Sequence, residues 1–136
     1  MKKEDKDEAY ADREVFTTPN IKIRTPWVTI MPNSTLLFNA GFVHRAKIKK
    51  SSHVILAFTR SKNTVDFQFT SDDKAAGALT LHHFRKGGTS VESRTFFNYF
   101  LFNASELAGR YTPIRMKIPK VGEVWTIDLD AKLPRK

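Results

Sequence analysis

Lysine and arginine recur in short groups along this chain. Grouped cations held by a rigid scaffold are what phosphate recognition requires. Arg45, Lys47, Lys49 and Lys50 crowd together. Arg60 and Lys62 fall in a polar stretch, Thr59-Arg-Ser-Lys-Asn-Thr64, between two apolar runs. Arg85 and Lys86 precede Gly87-Gly88, and Arg94 follows Ser93. Arg115 and Lys117 alternate with Ile114, Met116 and Ile118. Strand alternation puts Arg115 and Lys117 on one sheet face and places the three apolar residues on the other, where burial is expected. These eleven cations are the candidate nucleic-acid-binding residues. Ser34, Ser61, Asn63 and Thr64 are the loop residues that could add hydrogen bonds.

Other chemistries find less support. The chain has no cysteine, which excludes disulfides and thiolate metal sites. His82 and His83 point to opposite faces of a strand and cannot easily chelate together. His44 and His53 stand apart, so no metal site is expected. Ser51-Ser52-His53 and Ser90 lack the partners of a nucleophilic triad. Gly87-Gly88 reads as a hairpin turn, because the strand-to-helix context of a phosphate-cradling loop is missing. Asp72-Asp73 and the pair Asp128 and Asp130 read as solvated carboxylates. No catalytic constellation emerges, and no cofactor is implied. Phe84, Tyr99, Tyr111 and Trp27 are the aromatic residues expected to be partly exposed and able to stack on bases. Phe67, Phe69, Phe96, Phe97, Phe100 and Phe102 read as core.

Charge is unevenly placed. The formal net charge of the 136 residues is +9. Residues 1–14 hold four basic and six acidic side chains, whereas the other 122 hold 19 basic and 8 acidic. A body of net +11 attracts polyanions, nucleic acid above all. Residues 1–14 are nearly devoid of apolar groups and read as a disordered charged tail. Met1-Lys-Lys-Glu-Asp-Lys-Asp-Glu has no apolar stretch behind its lysines, which argues against a secretory signal. No apolar run approaches the roughly 20 residues of a membrane span. With 40% hydrophobic residues and eleven Phe, residues 15–136 read as a single domain, and a cytoplasmic location is expected.

The elements that must position these cations are mostly β. Ile21 and Ile23 alternate with Lys22 and Arg24, a short edge strand confined by Pro19 and Pro26. Strands are expected at 27–30, 35–39, 53–58 and 65–69, then at 79–84, 89–91, 111–118 and 124–129. Asn39 is a good N-cap for a helix over 40–48. Ser93 caps a second candidate over 94–102, which is aromatic enough to be a buried strand instead. Ser71 caps a helical turn in the 71–77 link. Residues 27–70 and 79–129 thus repeat one order: hairpin, short helix, hairpin. The fold class is mostly β (α+β), with two related units sharing a core in a small barrel-like domain.

Val28-Thr-Ile, the Pro32-Asn33 turn, Leu36-Leu-Phe-Asn-Ala40, Lys49-Lys-Ser-Ser-His-Val54 and the closing strand pair to Phe69 carry a resemblance. Over residues 27–70 the chain resembles the swapped-hairpin fold of AbrB-like and MazE-like DNA-binding proteins. Asn39-Ala40 stands where that family usually has proline-lysine, and Ser52-His53 where it usually has Gly-Asp. The resemblance implies interlaced hairpins, supplied by one chain or by two as a homodimer. It also implies duplex DNA bound beside the hairpin loops. The expected function is non-enzymatic nucleic-acid binding, DNA rather than RNA, without membrane attachment. The alternative is a structural component of a phage or ribonucleoprotein assembly.

Overall fold

The structure, a computed structural model, describes residues 25–134 together with Ala11 and Arg13. The expected tail over 1–14 and the edge strand at Ile21 and Ile23 lie outside the described residues, apart from those two positions. Among the described residues, no helix is long and apolar enough to cross a membrane.

Two antiparallel five-stranded sheets are built from hairpins. The first hairpin joins β1 (Val28–Ile30) to β2 (Thr35–Phe38). Helix α1 (Ala40–Arg45) and a 3-10 turn (Ile48–Lys50) follow, then β3 (His53–Thr59) and β4 (Thr64–Thr70). After short β5 (Leu79–Thr80) comes the hairpin of β6 (His82–His83) and β7 (Thr89–Glu92). Helices α2 (Arg94–Tyr99) and α3 (Ala104–Leu107) lead to β8 (Gly109–Tyr111), β9 (Ile114–Ile118) and β10 (Gly122–Asp128). The first sheet has the order β6-β7-β2-β1-β8, and the second β5-β3-β4-β10-β9. Each sheet takes one hairpin from each half of the chain. At both junctions the second strands of the hairpins pair with each other, β2 with β7 and β4 with β10.

Apolar residues from both sheets meet in one core. Val28, Leu36 and Phe38 of the first sheet lie with Val54, Phe67 and Ile127 of the second, all nearly inaccessible. Phe38 touches Phe42 of α1, and Phe67 and Phe69 of β4, edge to face at 5.3–5.6 Å. Asn39 caps α1 as expected: its Oδ1 accepts from the Phe42 N–H at 3.0 Å.

Several expectations need correction. The sheets do not close into a barrel. The chain changes sheet at Leu81 and again at Thr112-Pro113, so the expected strands 79–84 and 111–118 are each broken in two. At the first break the Leu81 N–H donates to the Ser52 carbonyl; at the second, Pro113 has no N–H to donate. Residues 94–99 are helical, but Ser93 does not cap them, because its hydroxyl donates to the Ser34 carbonyl at 2.6 Å. Residues 71–77 hold turns and no helix, and the Ser71 hydroxyl bonds the Lys50 carbonyl.

The outward face of the second sheet departs furthest from expectation. Ile114 is 58% exposed and Met116 42%. Both sit on β9, the edge strand among the described residues, facing away from the core. Asp66 of β4 lies at the middle of that same face, opposite Ala57 and Thr126, and is nearly buried. Burial raises its carboxyl pKa above the ordinary 3.8. The folded chain therefore holds the Asp66 proton more tightly than the unfolded chain. Its charge costs stability as pH rises from about 4 through the raised folded value, and that cost persists at neutral pH. The Asp66→Asn variant is expected to melt higher at pH 7 and to lose that advantage below pH 4. Thermal unfolding followed at both pH values checks this.

Candidate nucleic-acid interface

All eleven candidate cations are exposed, yet they fall into distinct groups. The densest begins at the C-terminus of α1. Arg45 ends the helix, and Lys47 then adopts a left-handed backbone, φ 54°, that reverses the chain. Ile48 is fully buried and pins the 3-10 turn to the core. With Ile48 pointing in, Lys47, Lys49 and Lys50 are left on the solvent side. A left-handed lysine costs on the order of 1 kcal/mol, which core contacts must offset.

Arg85 and Lys86 join this group from the β6–β7 hairpin. The turn is closed by the Phe84 N–H to the Gly88 carbonyl at 2.8 Å and the Gly87 N–H to the Phe84 carbonyl at 3.1 Å. Gly87 has φ +107°, and a Cβ built there would stand 3.2 Å from the Ala40 Cβ. A side chain at 87 would thus be strained and crowded, so glycine lets the tip approach the start of α1. One strand away, the His83 ring bonds the Ser51 carbonyl (2.8 Å) and the Thr89 hydroxyl (2.9 Å). The hairpin is therefore docked along the α1 to Ser52 segment at both ends. Arg45, Lys47, Lys49 and Lys50 thus ride on one segment, and Arg85 and Lys86 on the hairpin docked beside it. Phe84 is 40% exposed and meets His82 edge to face at 4.9 Å, an aromatic pair at the root of the basic tip.

Arg115 and Lys117 form a second group. They share a sheet face, as strand alternation requires, and that face is the one bearing Trp125 and Phe67. The Arg115 guanidinium lies 5.7 Å from the Trp125 ring and 3.7 Å from the Glu123 carboxylate, which also stands opposite Lys117. Trp125 in turn packs on Phe42 of α1 at 5.1 Å. This pair is partly neutralised by Glu123.

Arg60 and Lys62 of the β3–β4 turn and Arg94 of α2 make up the remaining, third group. Arg60 lies over the rings of Phe58 and Phe100 at 5.7 and 5.9 Å. Arg94 opens the helix and meets Glu92 at 3.8 Å. The eleven cations expected on the surface are exposed, and they stand at three separate places.

Two residues were misjudged. Tyr111 is 1% exposed, and its hydroxyl donates to the Leu107 carbonyl at 2.6 Å, so it is no stacking platform. Burial raises its phenol pKa. Arg110 was missed: it covers Trp27 at 4.2 Å, leaving that ring half-buried. The pairing spans most of the chain, and no local pattern marks it. Arg110 and Lys132 also line a groove of about 920 Å³ with Thr29, Ile30 and Gly109. The Lys132 ammonium there is engaged by the carbonyls of Glu106 and Ala108 at 2.8 and 3.0 Å.

Compared with known proteins, the chain matches no family model, no curated sequence and no solved structure. The site's own chemistry therefore carries the functional reading.

Proposed function

We propose that this chain is a non-enzymatic nucleic-acid-binding protein that grips phosphates through the six cations of the α1–Ser52 segment and the β6–β7 tip. The observation that carries this reading is their convergence. Two segments some forty residues apart in sequence carry Arg45, Lys47, Lys49, Lys50, Arg85 and Lys86, tied by the His83 ring on the Ser51 carbonyl and the Leu81 N–H on the Ser52 carbonyl. Within a Debye length of about 10 Å such charges act as one field. Arg115 and Lys117 extend the field, and the third group is secondary. The preference for DNA over RNA comes from the AbrB-like resemblance of residues 27–70. Internal duplication is part of the same reading and is supported by the repeated order of hairpin, short helix and hairpin. The cytoplasm is the compartment this reading implies.

Gel-shift titrations of duplex DNA, single-stranded DNA and RNA over a range of salt test it. Binding to duplex DNA is expected to weaken steeply, the logarithm of affinity falling by about 0.9 for each phosphate neutralised per decade of salt. A flat salt response overturns the proposal. A preference for single strands would shift the contact toward Phe84 and His82.

A second reading, a structural component of a phage or ribonucleoprotein assembly, rests on the apolar end of α2. Tyr99 is 78% exposed and Leu101 90%. Leu101 occupies the left-handed position that ends the helix, φ 59°, where glycine is favoured. An exposed leucine in that conformation suits a protein contact better than it suits stability.

A further inference from the structure

Resting on the nucleic-acid reading, we infer that pH regulates the same site, its histidines taking up protons as a phosphate backbone binds. The first support is placement. The chain has four histidines, and all of them stand on or directly beside the two segments that carry the six cations. His44 precedes Arg45 in the last turn of α1. His53 opens β3, just beyond Lys50 and Ser52. His82 and His83 form β6, which leads into Arg85 and Lys86. His44, His82 and His83 are exposed, and His53 is half-buried.

The second support is hydrogen bonding. The His83 ring is part of the seam between the segments: its Nε2 donates to the Ser51 carbonyl at 2.8 Å, and its Nδ1 meets the Thr89 hydroxyl at 2.9 Å. A carbonyl only accepts, so Nε2 carries a proton in either charge state. A hydroxyl either donates to a bare Nδ1 or accepts from a protonated one. His53 faces hydroxyls at both nitrogens, Ser52 at 2.7 Å from Nδ1 and Thr80 at 3.5 Å from Nε2. An added proton therefore costs neither ring a hydrogen bond. Charge rises on both segments while they stay joined.

The third support is the charge around the rings. Across the ladders His53 stands opposite Thr70 and Thr80, His82 opposite Ser90 and His83 opposite Thr89, all of them neutral. Over residues 40–53 and 82–88 the other charged side chains are the six cations alone. The elements alongside add Asp66 of β4 and Glu92 of β7, the latter meeting Arg94. They also add Asp72, Asp73 and Lys74 of the 71–77 link, which the Ser71 hydroxyl ties to the Lys50 carbonyl.

A phosphate backbone laid on these cations brings negative charge beside the imidazoles. Opposite charge favours the protonated ring. Histidine is also the side chain whose ordinary titration falls between pH 5 and 8. Binding then draws protons from solution, and by linkage the affinity falls as pH rises.

Calorimetric titration of a mixed-sequence duplex DNA into the full chain tests this at fixed salt. In two buffers of different ionisation enthalpy near pH 6.5, the heats are expected to differ by the uptake of about one proton or more per chain. The affinity is expected to be about tenfold higher at pH 6 than at pH 8. The Met1 amine also titrates in this range, so a variant assigns the effect. His44→Gln, His53→Gln and His82→Gln are combined, and His83 is kept to preserve the seam. In this variant the pH effect is expected to shrink to about threefold or less. Binding without proton uptake, equal affinity at the two pH values, or an undiminished pH effect in the variant each overturn the inference and leave the nucleic-acid reading standing. No binding at either pH overturns both.

Discussion

The Phe38→Ala variant is expected to lose about 3–5 kcal/mol of stability. Phe38 is 1% exposed and its ring is the meeting point of both sheets and α1. Removing it deletes a buried aromatic side chain and leaves a hole bounded by Phe42, Phe67 and Phe69. These neighbours belong to two rigid elements, α1 and β4, and cannot all move in to fill it. Aromatic edge-to-face contacts add about 0.5–1.5 kcal/mol each beyond area burial, so the loss should lie toward the upper end. A domain of this size has roughly 5–15 kcal/mol in all. Urea titration followed by tryptophan fluorescence measures the change, since Trp125 packs on Phe42 beside the hole. A loss under about 1 kcal/mol would mean that the sheets are held together elsewhere.

Replacing Lys47, Lys49 and Lys50 together with glutamine is expected to weaken duplex DNA binding about tenfold at physiological salt. Each exposed contact is taken at about 0.5 kcal/mol, and about 1.4 kcal/mol is a factor of ten. The slope of log affinity against log salt should fall by about 2–3. Stability should move little, because all three side chains are exposed and glutamine keeps part of the aliphatic stem. The matching triple at Arg60, Lys62 and Arg94 should leave affinity within about threefold, since Arg60 is occupied by aromatic rings and Arg94 by Glu92. If the second triple proves the damaging one, the interface lies at α2.

How much of this could be read from residue order depends on range. The hairpins at 28–38 and 53–70 follow from alternation and turn residues, and Asn39 marks the helix start. Periodicity could not show where a strand leaves one sheet for the other, as at Leu81 and Pro113, since alternation continues across both places. It also could not tell which side of β9 faces the core. Ile114, Met116 and Ile118 alternate as a buried face should, yet the register with Trp125 and Phe67 turns Arg115 and Lys117 toward the core side. The candidate site was legible as a set of exposed cations. Its grouping was not, because it depends on Gly87 meeting Ala40 and His83 reaching Ser51, contacts that no local pattern marks.

The interleaving of the two halves sets the order of events during synthesis. β2 finds its second neighbour only when β7 exists, and β4 waits for its second, β10, near the end of the chain. Between the emergence of β4 and that of β10 a ribosome works for several seconds, at about 5–20 residues per second. Through that interval Val65 and Phe67 of β4 lack their partners Ile127 and Trp125. Closing pairings so distant in sequence is slow. The nascent first half is therefore the stage at which this chain is most open to aggregation and most in need of a chaperone.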